Sequence, residues 1–532
     1  MQTTFSTILS EKTDQYLSQL PQPSGMRPDV IVDELMNEIL NRIELENAGI
    51  SKRERQISYP KITPNYAVAQ IMLHEEYIVR LNLGDYGSGA SYVLAVYAEQ
   101  GENEGIYVSD PIFIAKKIRK YKVEVDKKDI NEILAILEEY APKMEQCREQ
   151  DYIAVKNGVF NYKTKQLMEF SPDVVLTSKS DVEYHPNVPN PLITNSDDGS
   201  TWDVESWMQS LSDDPEIVNL LWQLLGAAIR PNVRWNKSVF LYSESGNNGK
   251  GTLCSLIRNL CGEARCASIS FTNFAKEFML EPLIRSLAVI VDENPTNAKV
   301  KDSSNLKAAI TGDVLQVNRK YKSVINYRFL GMIIQCINAL PQFEDTSDSF
   351  YRRLLIIPFE KCFTGQERKY IKEDYLKRKE VLEYVLCRVL NMPEYYEFSV
   401  VSACEKLLAH YKGYNDPVRE FLEEMLPQLV WDLVPYAFLY DLYNKWLKRN
   451  CPSVSPQTKN IFISNVKQIL RNNADWFASD TSIPPRHLMD SSEPLIADYW
   501  LTAWMNPRYS GNDTDKMCHP ALKSSYSGLR RR

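Results

Sequence analysis

A glycine-rich loop set between a hydrophobic strand and an apolar helix constrains this chain more than any other feature. The loop runs Ser243-Glu244-Ser245-Gly246-Asn247-Asn248-Gly249-Lys250-Gly251-Thr252. Before it, Ser238-Val239-Phe240-Leu241-Tyr242 reads as a strand; after it, Leu253, Leu256, Ile257 and Leu260 recur at the spacing of one buried helical face. Strand, glycine loop and helix N-terminus in that order make a phosphate cradle. Amides from Ser245 to Thr252 would point at an anion, the helix dipole adds partial positive charge, and Lys250 would reach the outer phosphates. Two positions depart from the usual pattern. Glu244 stands where its first glycine would be, and Gly251 stands where it has a magnesium-binding hydroxyl, which leaves Thr252 as the candidate. Taken alone, the loop could also be an ordinary glycine turn.

Downstream, Leu287-Ala288-Val289-Ile290-Val291 is an unbroken apolar run, as a strand buried on both faces of a parallel sheet requires, and it ends in Asp292-Glu293. Carboxylates at that end of such a strand lie in the crevice where open α/β sheets bind ligands. Asp292 is the candidate Mg²⁺ ligand, and Glu293 the group that would polarise an attacking water. A strand ending in merely solvated acids is the bland alternative. A third run, Gly331 to Ile337, ends at Asn338, whose amide could bridge a γ-phosphate and the water, or could serve only as strand-end turn chemistry. Arg352-Arg353 then open the apolar stretch Leu354-Leu355-Ile356-Ile357. Such a pair suits either a solvated strand end or an arginine finger supplied to a neighbouring subunit.

These four elements, in this order and this close together, resemble the superfamily 3 helicases, in the branch of phage, plasmid and poxvirus replication proteins. Lys250 and Thr252 match the family's Walker A, Asp292 and Glu293 its Walker B, Asn338 its sensor, and Arg352-Arg353 its arginine finger. Asn305 to Asp313 resembles the motif that leads into the family's DNA-contacting hairpin, and Asp151 to Phe160 resembles a signature of its N-terminal module. The resemblance implies an ATP- and Mg²⁺-dependent replicative DNA helicase that works as a homohexamer on single-stranded DNA with 3′ to 5′ polarity. An added role as initiator at origin duplex DNA, alongside other replication proteins, is a further implication. It also implies an α/β fold: a central AAA+ P-loop ATPase with a parallel sheet, a mixed α+β N-terminal module and a C-terminal winged helix.

Between Asp313 and Gly331, apolar and polar residues alternate on both sides of a basic centre, which reads as a hairpin. Arg319, Lys320, Lys322 and Arg328 occur there without an acidic residue, and Tyr321 could stack on a base. A solvated surface hairpin is the plain alternative. The net charge of −7 is unusual for a protein whose whole surface grips DNA, so basic contacts must be local.

Organisation along the chain is expected as a helical arm at 1–60, an α+β module at 61–200, a helical linker at 201–235 and the ATPase at 236–400. A winged-helix domain at 401–475 and an irregular, mobile tail at 476–532 would follow. In the winged helix, Lys459, Lys467 and Arg471 share one face of a candidate recognition helix. Gly84 to Gly89 is taken as a structural turn, because both flanks read as strands. No apolar run approaches the roughly 18 residues of a membrane helix, and a host bacterial cytoplasm is the expected location. The ten cysteines form no zinc-ligand spacing and read as reduced thiols. Priming activity is not expected, since the region ahead of residue 185 has only His74 and no Asp-x-Asp pair to hold two metals. Two rivals remain: a non-catalytic origin-binding module with a degenerate ATPase, and a DNA-packaging or other AAA+ motor, which would be expected to carry a cluster of acidic nuclease ligands.

Overall fold

Each apolar run that flanks a candidate motif becomes a strand of one parallel sheet. In chain order the elements are α1 (Pro215–Ala228), β1 (Ser238–Tyr242), α2 (Lys250–Cys261), β2 (Cys266–Ala267), β3 (Ala288–Val291), α3 (Ser304–Thr311), β4 (Val314–Val317), β5 (Ile325–Arg328), β6 (Met332–Ile337) and β7 (Leu354–Pro358). The computed structural model describes residues 4–48, 50, 56–84, 91–296, 298–320, 323–365, 368–450, 456–471 and 473–532. They divide into two units, 1–345 with 352–404, and 346–351 with 405–532.

The sheet of the first unit has the order β2-β3-β6-β1-β7, with every neighbouring pair parallel. Its inner strands are buried throughout, so their side chains must find apolar partners on both faces. Val239, Leu241, Ala288, Ile290, Ile334 and Cys336 share one core with α1, α2 and a later helix, Lys379–Leu390. Phe240, one residue out of step, stacks on Phe271 at 5.9 Å on the other face, as the two-residue period of a strand dictates. Parallel strands need long crossovers, and the one from β3 to β6 holds α3 and the β4/β5 hairpin.

Residues 5–140 build a separate core of helices against a small sheet. Helices Phe5–Leu17 and Pro28–Ala48 pack Ile8, Ile31, Leu35 and Ile39 into the same cluster as Ile71, Val96, Ile118 and Ile133. The apolar stripe of these two helices is thus covered by the module that follows. Strands Tyr152–Val155 and Gly158–Asn161 form a hairpin whose turn is Lys156-Asn157, and Ile153, Val155, Phe160 and Tyr162 join the core of the parallel sheet. Arg230, 1% exposed, fastens this junction: its guanidinium lies 3.7 Å from the Tyr162 ring centroid, with Trp235, Tyr395 and Tyr396 around it, and donates to the Tyr395 carbonyl at 2.9 Å. On the hairpin's other face, Ala154 and Val159 pack with Ile106 of the preceding module.

The second unit has helices Pro417–Met425, Tyr436–Asn450 and Lys459–Ile469 beside a three-stranded antiparallel sheet. In spatial order its strands are Leu433–Pro435, Tyr526–Arg531 and Trp476–Ile483. Trp431, Phe438, Trp446, Phe462 and Leu529 fill the core. Residues 476–532 are consequently not an irregular tail. They supply two of the three strands, and Arg531, in the basic terminus, pairs with Asp432 at 3.1 Å and lies over Trp476. Of the candidate recognition face, Lys467 pairs with Asp480, while Lys459 and Arg471 are exposed.

Candidate functional site

The phosphate loop follows β1, the strand flanked by β6 and β7, so its crest rises at the carboxyl edge of the sheet. Gly249 caps α2 with φ +87°, a left-handed conformation that a side chain would strain; a Cβ there would also lie 2.7 Å from Leu211 Cδ2. Asn247 is likewise left-handed at φ +53°. The loop is held from two sides. Phe363 N–H donates to the Asn247 carbonyl at 2.7 Å, and the Asn248 side chain accepts from the Lys250 N–H at 3.3 Å. Residues 244–247 are exposed, whereas Asn248 and Lys250 are buried.

Lys250 Nζ donates to Asn338 Oδ1 at 2.8 Å and to the Ser243 carbonyl at 3.4 Å. Loop lysine and strand-end asparagine, distant in sequence, meet because β1 and β6 are parallel neighbours. Burial pushes the Lys250 ammonium below the usual lysine range. A buried cation at a helix N-terminus, without a carboxylate among these contacts, is an environment that an anion would relieve.

Asp292 and Glu293 leave β3 at the same edge. Asp292 Oδ1 accepts from Arg258 Nη1 at 3.1 Å, and Arg258 Nη2 also donates to the Ile290 carbonyl at 2.8 Å. Arg258 lies on α2, two turns beyond Lys250, so one helix positions both the loop cation and the acid. Sequence reasoning missed Arg258, because its role depends on the fold that sets α2 beside β3. Glu293 is exposed. Asn294 Nδ2 donates to the Cys336 carbonyl at 3.0 Å, tying the end of β3 to β6. Beneath Lys250 and Asn338, the thiols of Cys254 and Cys336 touch at 3.4 Å.

Thr252 is half-buried and lines a cleft of about 970 Å³ with Trp207, Leu211, Phe363, Tyr370 and Lys372. Lys372 Nζ lies 3.6 Å from the point a Cβ on Gly251 would occupy, so an amine stands where the usual pattern has its hydroxyl. Mg²⁺ binds through one or two carboxylates together with substrate phosphates, and a donor set of Asp292 and Thr252 beside a phosphate cradle fits that habit.

Arg352 and Arg353 lie at the other edge of the sheet. They precede β7, whose Leu354 is level with Ser238 at the start of β1, and the Arg353 carbonyl accepts from the Ser238 N–H at 2.8 Å. Five residues of strand span roughly 16 Å, too far for either side chain to reach the loop of its own subunit. The β4/β5 hairpin has the register Val314↔Arg328 to Val317↔Ile325 and joins the amino end of β6, on the same side as the arginines. Lys320 is exposed, but Arg319 turns inward and donates from Nε and Nη2 to the Ser323 carbonyl at 3.1 and 2.9 Å. Arg328 donates from Nη1 to the Gly312 carbonyl at 2.7 Å. Tyr321 and Lys322 lie outside the described residues, as do residues 85–90 of the glycine-rich turn.

Three successive segments match known families: residues 106–213 match "D5 N terminal like", 241–353 match "Family of unknown function (DUF5906)" and 414–492 match "Poxvirus D5 protein-like". The middle segment holds every candidate nucleotide-site residue from Ser243 to Arg353. The "Putative helicase" of Acanthamoeba polyphaga mimivirus is 21% identical over 403 residues, 72% of this chain. The chain spans 39% of that relative's length. Among solved structures, two of the C-terminal region of NrS-1 align at TM-scores of 0.42 and 0.41, each 14% identical, covering 84% and 74% of this chain and 91% and 95% of theirs. Among the described residues no helix is long and apolar enough to cross a membrane.

Proposed function

We propose that this chain, a superfamily 3 helicase-type protein of the phage and viral D5 kind, is an ATP-driven replicative DNA helicase with an AAA+ core. It moves 3′ to 5′ along single-stranded DNA as a hexameric ring and recognises origin duplex through a C-terminal winged helix. The observation that carries the reading is the Lys250–Asn338 contact at the carboxyl edge of a parallel sheet, with Asp292 fixed beside it from the same helix.

The triphosphate of ATP lies on the amides from Ser245 to Thr252, and Lys250 turns from Asn338 to the β- and γ-phosphates. Asn338, released from the lysine, orients water against the γ-phosphate, and Glu293 accepts that water's proton. Asp292 and Thr252 would hold Mg²⁺, which would supply positive charge against the phosphates. Arg258 keeps the Asp292 carboxylate aimed into the site. Arg352 or Arg353 reaches the nucleotide of the adjoining subunit, which is why it stands at the far edge of its own sheet. Arg319 and Lys320 follow the DNA backbone, with Tyr321 and Lys322 as further proposed DNA contacts, and helix Lys459–Ile469 reads the origin.

Mixing tests the arrangement in trans. Arg353→Ala should be inactive alone, and added to wild type it should depress activity more steeply than its share of the subunits, since each variant subunit disables a neighbour's site. Activity strictly proportional to the wild-type fraction would contradict a finger shared between subunits.

A further inference from the structure

A second cleft of about 970 Å³ lies in the first unit, away from the nucleotide loop. Arg80 and Tyr92, from the N-terminal strands Ile78–Asn82 and Tyr92–Tyr97, line one wall; Phe278, Arg285 and the hairpin residue Arg319 line the other. Phe278 has φ +62°, a left-handed backbone that a bulky side chain rarely adopts, yet its ring remains 42% exposed. Backbone strain that leaves an aromatic face in water, instead of burying it, is the kind of outlier that accompanies a binding function. Tyr92 is 37% exposed, and the Lys143 ammonium lies 4.9 Å from its ring centroid.

The cations are anchored. Arg80 Nε donates to the Ala141 carbonyl at 2.8 Å, Arg319 is held on Ser323, and Arg285 pairs with Asp110 at 3.3 Å across an exposed surface. Glu138 and Glu281 also line the cleft, so its three guanidinium groups meet these two carboxylates and the Asp110 paired with Arg285, with Lys143 close by. The hairpin is fastened to the same N-terminal wall: Arg328 N–H donates to the Leu83 carbonyl at 3.1 Å, and Asn326 N–H donates to Ser91 Oγ at 2.9 Å. Arg319 and Ser323, on either side of the hairpin's centre, thus line the cleft.

We propose that this cleft is a binding site for single-stranded nucleic acid, in which unpaired bases stack on Phe278 and Tyr92 while Arg80, Arg285 and Arg319 meet the phosphates. The N-terminal module is then a working wall of the DNA path. Duplex is a poor occupant, because its bases already stack on one another, whereas exposed rings interleaved with arginines suit a single strand. The assignment rests on the reading of the chain as a single-strand translocase.

Anisotropy of a labelled oligothymidylate on the full chain tests it. Phe278→Gly removes the ring and the backbone strain together, so its melting temperature should hold or rise, and Tyr92→Ala removes the facing ring. Each change is expected to weaken binding about tenfold, and Phe278→Trp should retain it. Iodouracil placed along the oligonucleotide should cross-link to Phe278 or Tyr92. Unchanged affinity in the folded double variant, with cross-links confined to the hairpin, overturns the proposal. Ring-dependent binding in a wild-type chain that hydrolyses no ATP would support the cleft while removing the motor reading.

Discussion

At the scale of single residues, the site turns on a lysine that is costly to keep charged. Lys250 is buried, its ammonium is pushed below the ordinary range, and its partners are an amide oxygen and a backbone carbonyl. A phosphate would supply the missing negative charge. Lys250→Ala should therefore reduce hydrolysis by at least about a hundredfold, as loss of a preorganised charge on a transferring phosphoryl group does, and weaken nucleotide binding with it. Glu293→Gln should differ, because Glu293 is exposed and outside these contacts: binding of ATP survives while turnover falls by about two to four orders of magnitude, the span of general-base catalysis. Nucleotide titration beside steady-state hydrolysis separates the two, and equal loss of binding in both variants would show Glu293 to be structural. Lys250, Asp292 and Asn338 could be picked out from sequence because each sits one residue past a strand or loop with a strong local pattern. Arg258 could not, since its role depends on the strand order that brings α2 beside β3.

At the scale of elements, apolar runs of the inner strands and the spacing of α2 are local signals, and they coincide with the observed β1, β3, β6 and α2. Strand Tyr526–Arg531 defied that reading. It carries Gly528 and ends in arginines, and the partners that make it a strand, Leu433–Pro435 and Trp476–Ile483, are remote in sequence. Gly528 is required there by close approach, as a Cβ would lie 2.1 Å from the Val434 carbonyl oxygen. The tie between the 152–168 hairpin and the segment after Leu390 was equally hidden. There Lys165 Nζ donates to the Leu390 carbonyl at 2.8 Å and lies 3.6 Å from the Tyr162 ring centroid, and burial lowers it to about 8. Its unfolded value is 10.5, so between about pH 8 and 10.5 the unfolded chain binds the extra proton and this residue's contribution to stability rises with pH. Below pH 8 both states are protonated and the contribution is at its lowest. Denaturation of wild type and Lys165→Met across that window should show the difference between them shift in favour of wild type as pH rises; a constant difference would mean that Lys165 titrates normally.

At the scale of the whole molecule, the two units imply a division of labour. The glycine-rich loop and the hairpin belong to the first, whereas in the second Lys459 stands exposed on helix Lys459–Ile469 and Arg471 just past its end. Reversing both charges, Lys459→Glu with Arg471→Glu, should abolish preference for origin duplex and flatten the salt dependence of duplex binding by about one unit of slope per lost phosphate contact. Single-strand-stimulated hydrolysis should stay near wild type. Origin preference that survived would move sequence reading to the N-terminal module. The central claim, that the loop is a motor coupled to a DNA strand, is tested most directly by the ATP hydrolysis rate of the intact chain with and without single-stranded DNA. The account predicts hydrolysis that rises severalfold on adding the strand and vanishes in Lys250→Ala. A rate indifferent to DNA, or equal in that variant, would contradict it.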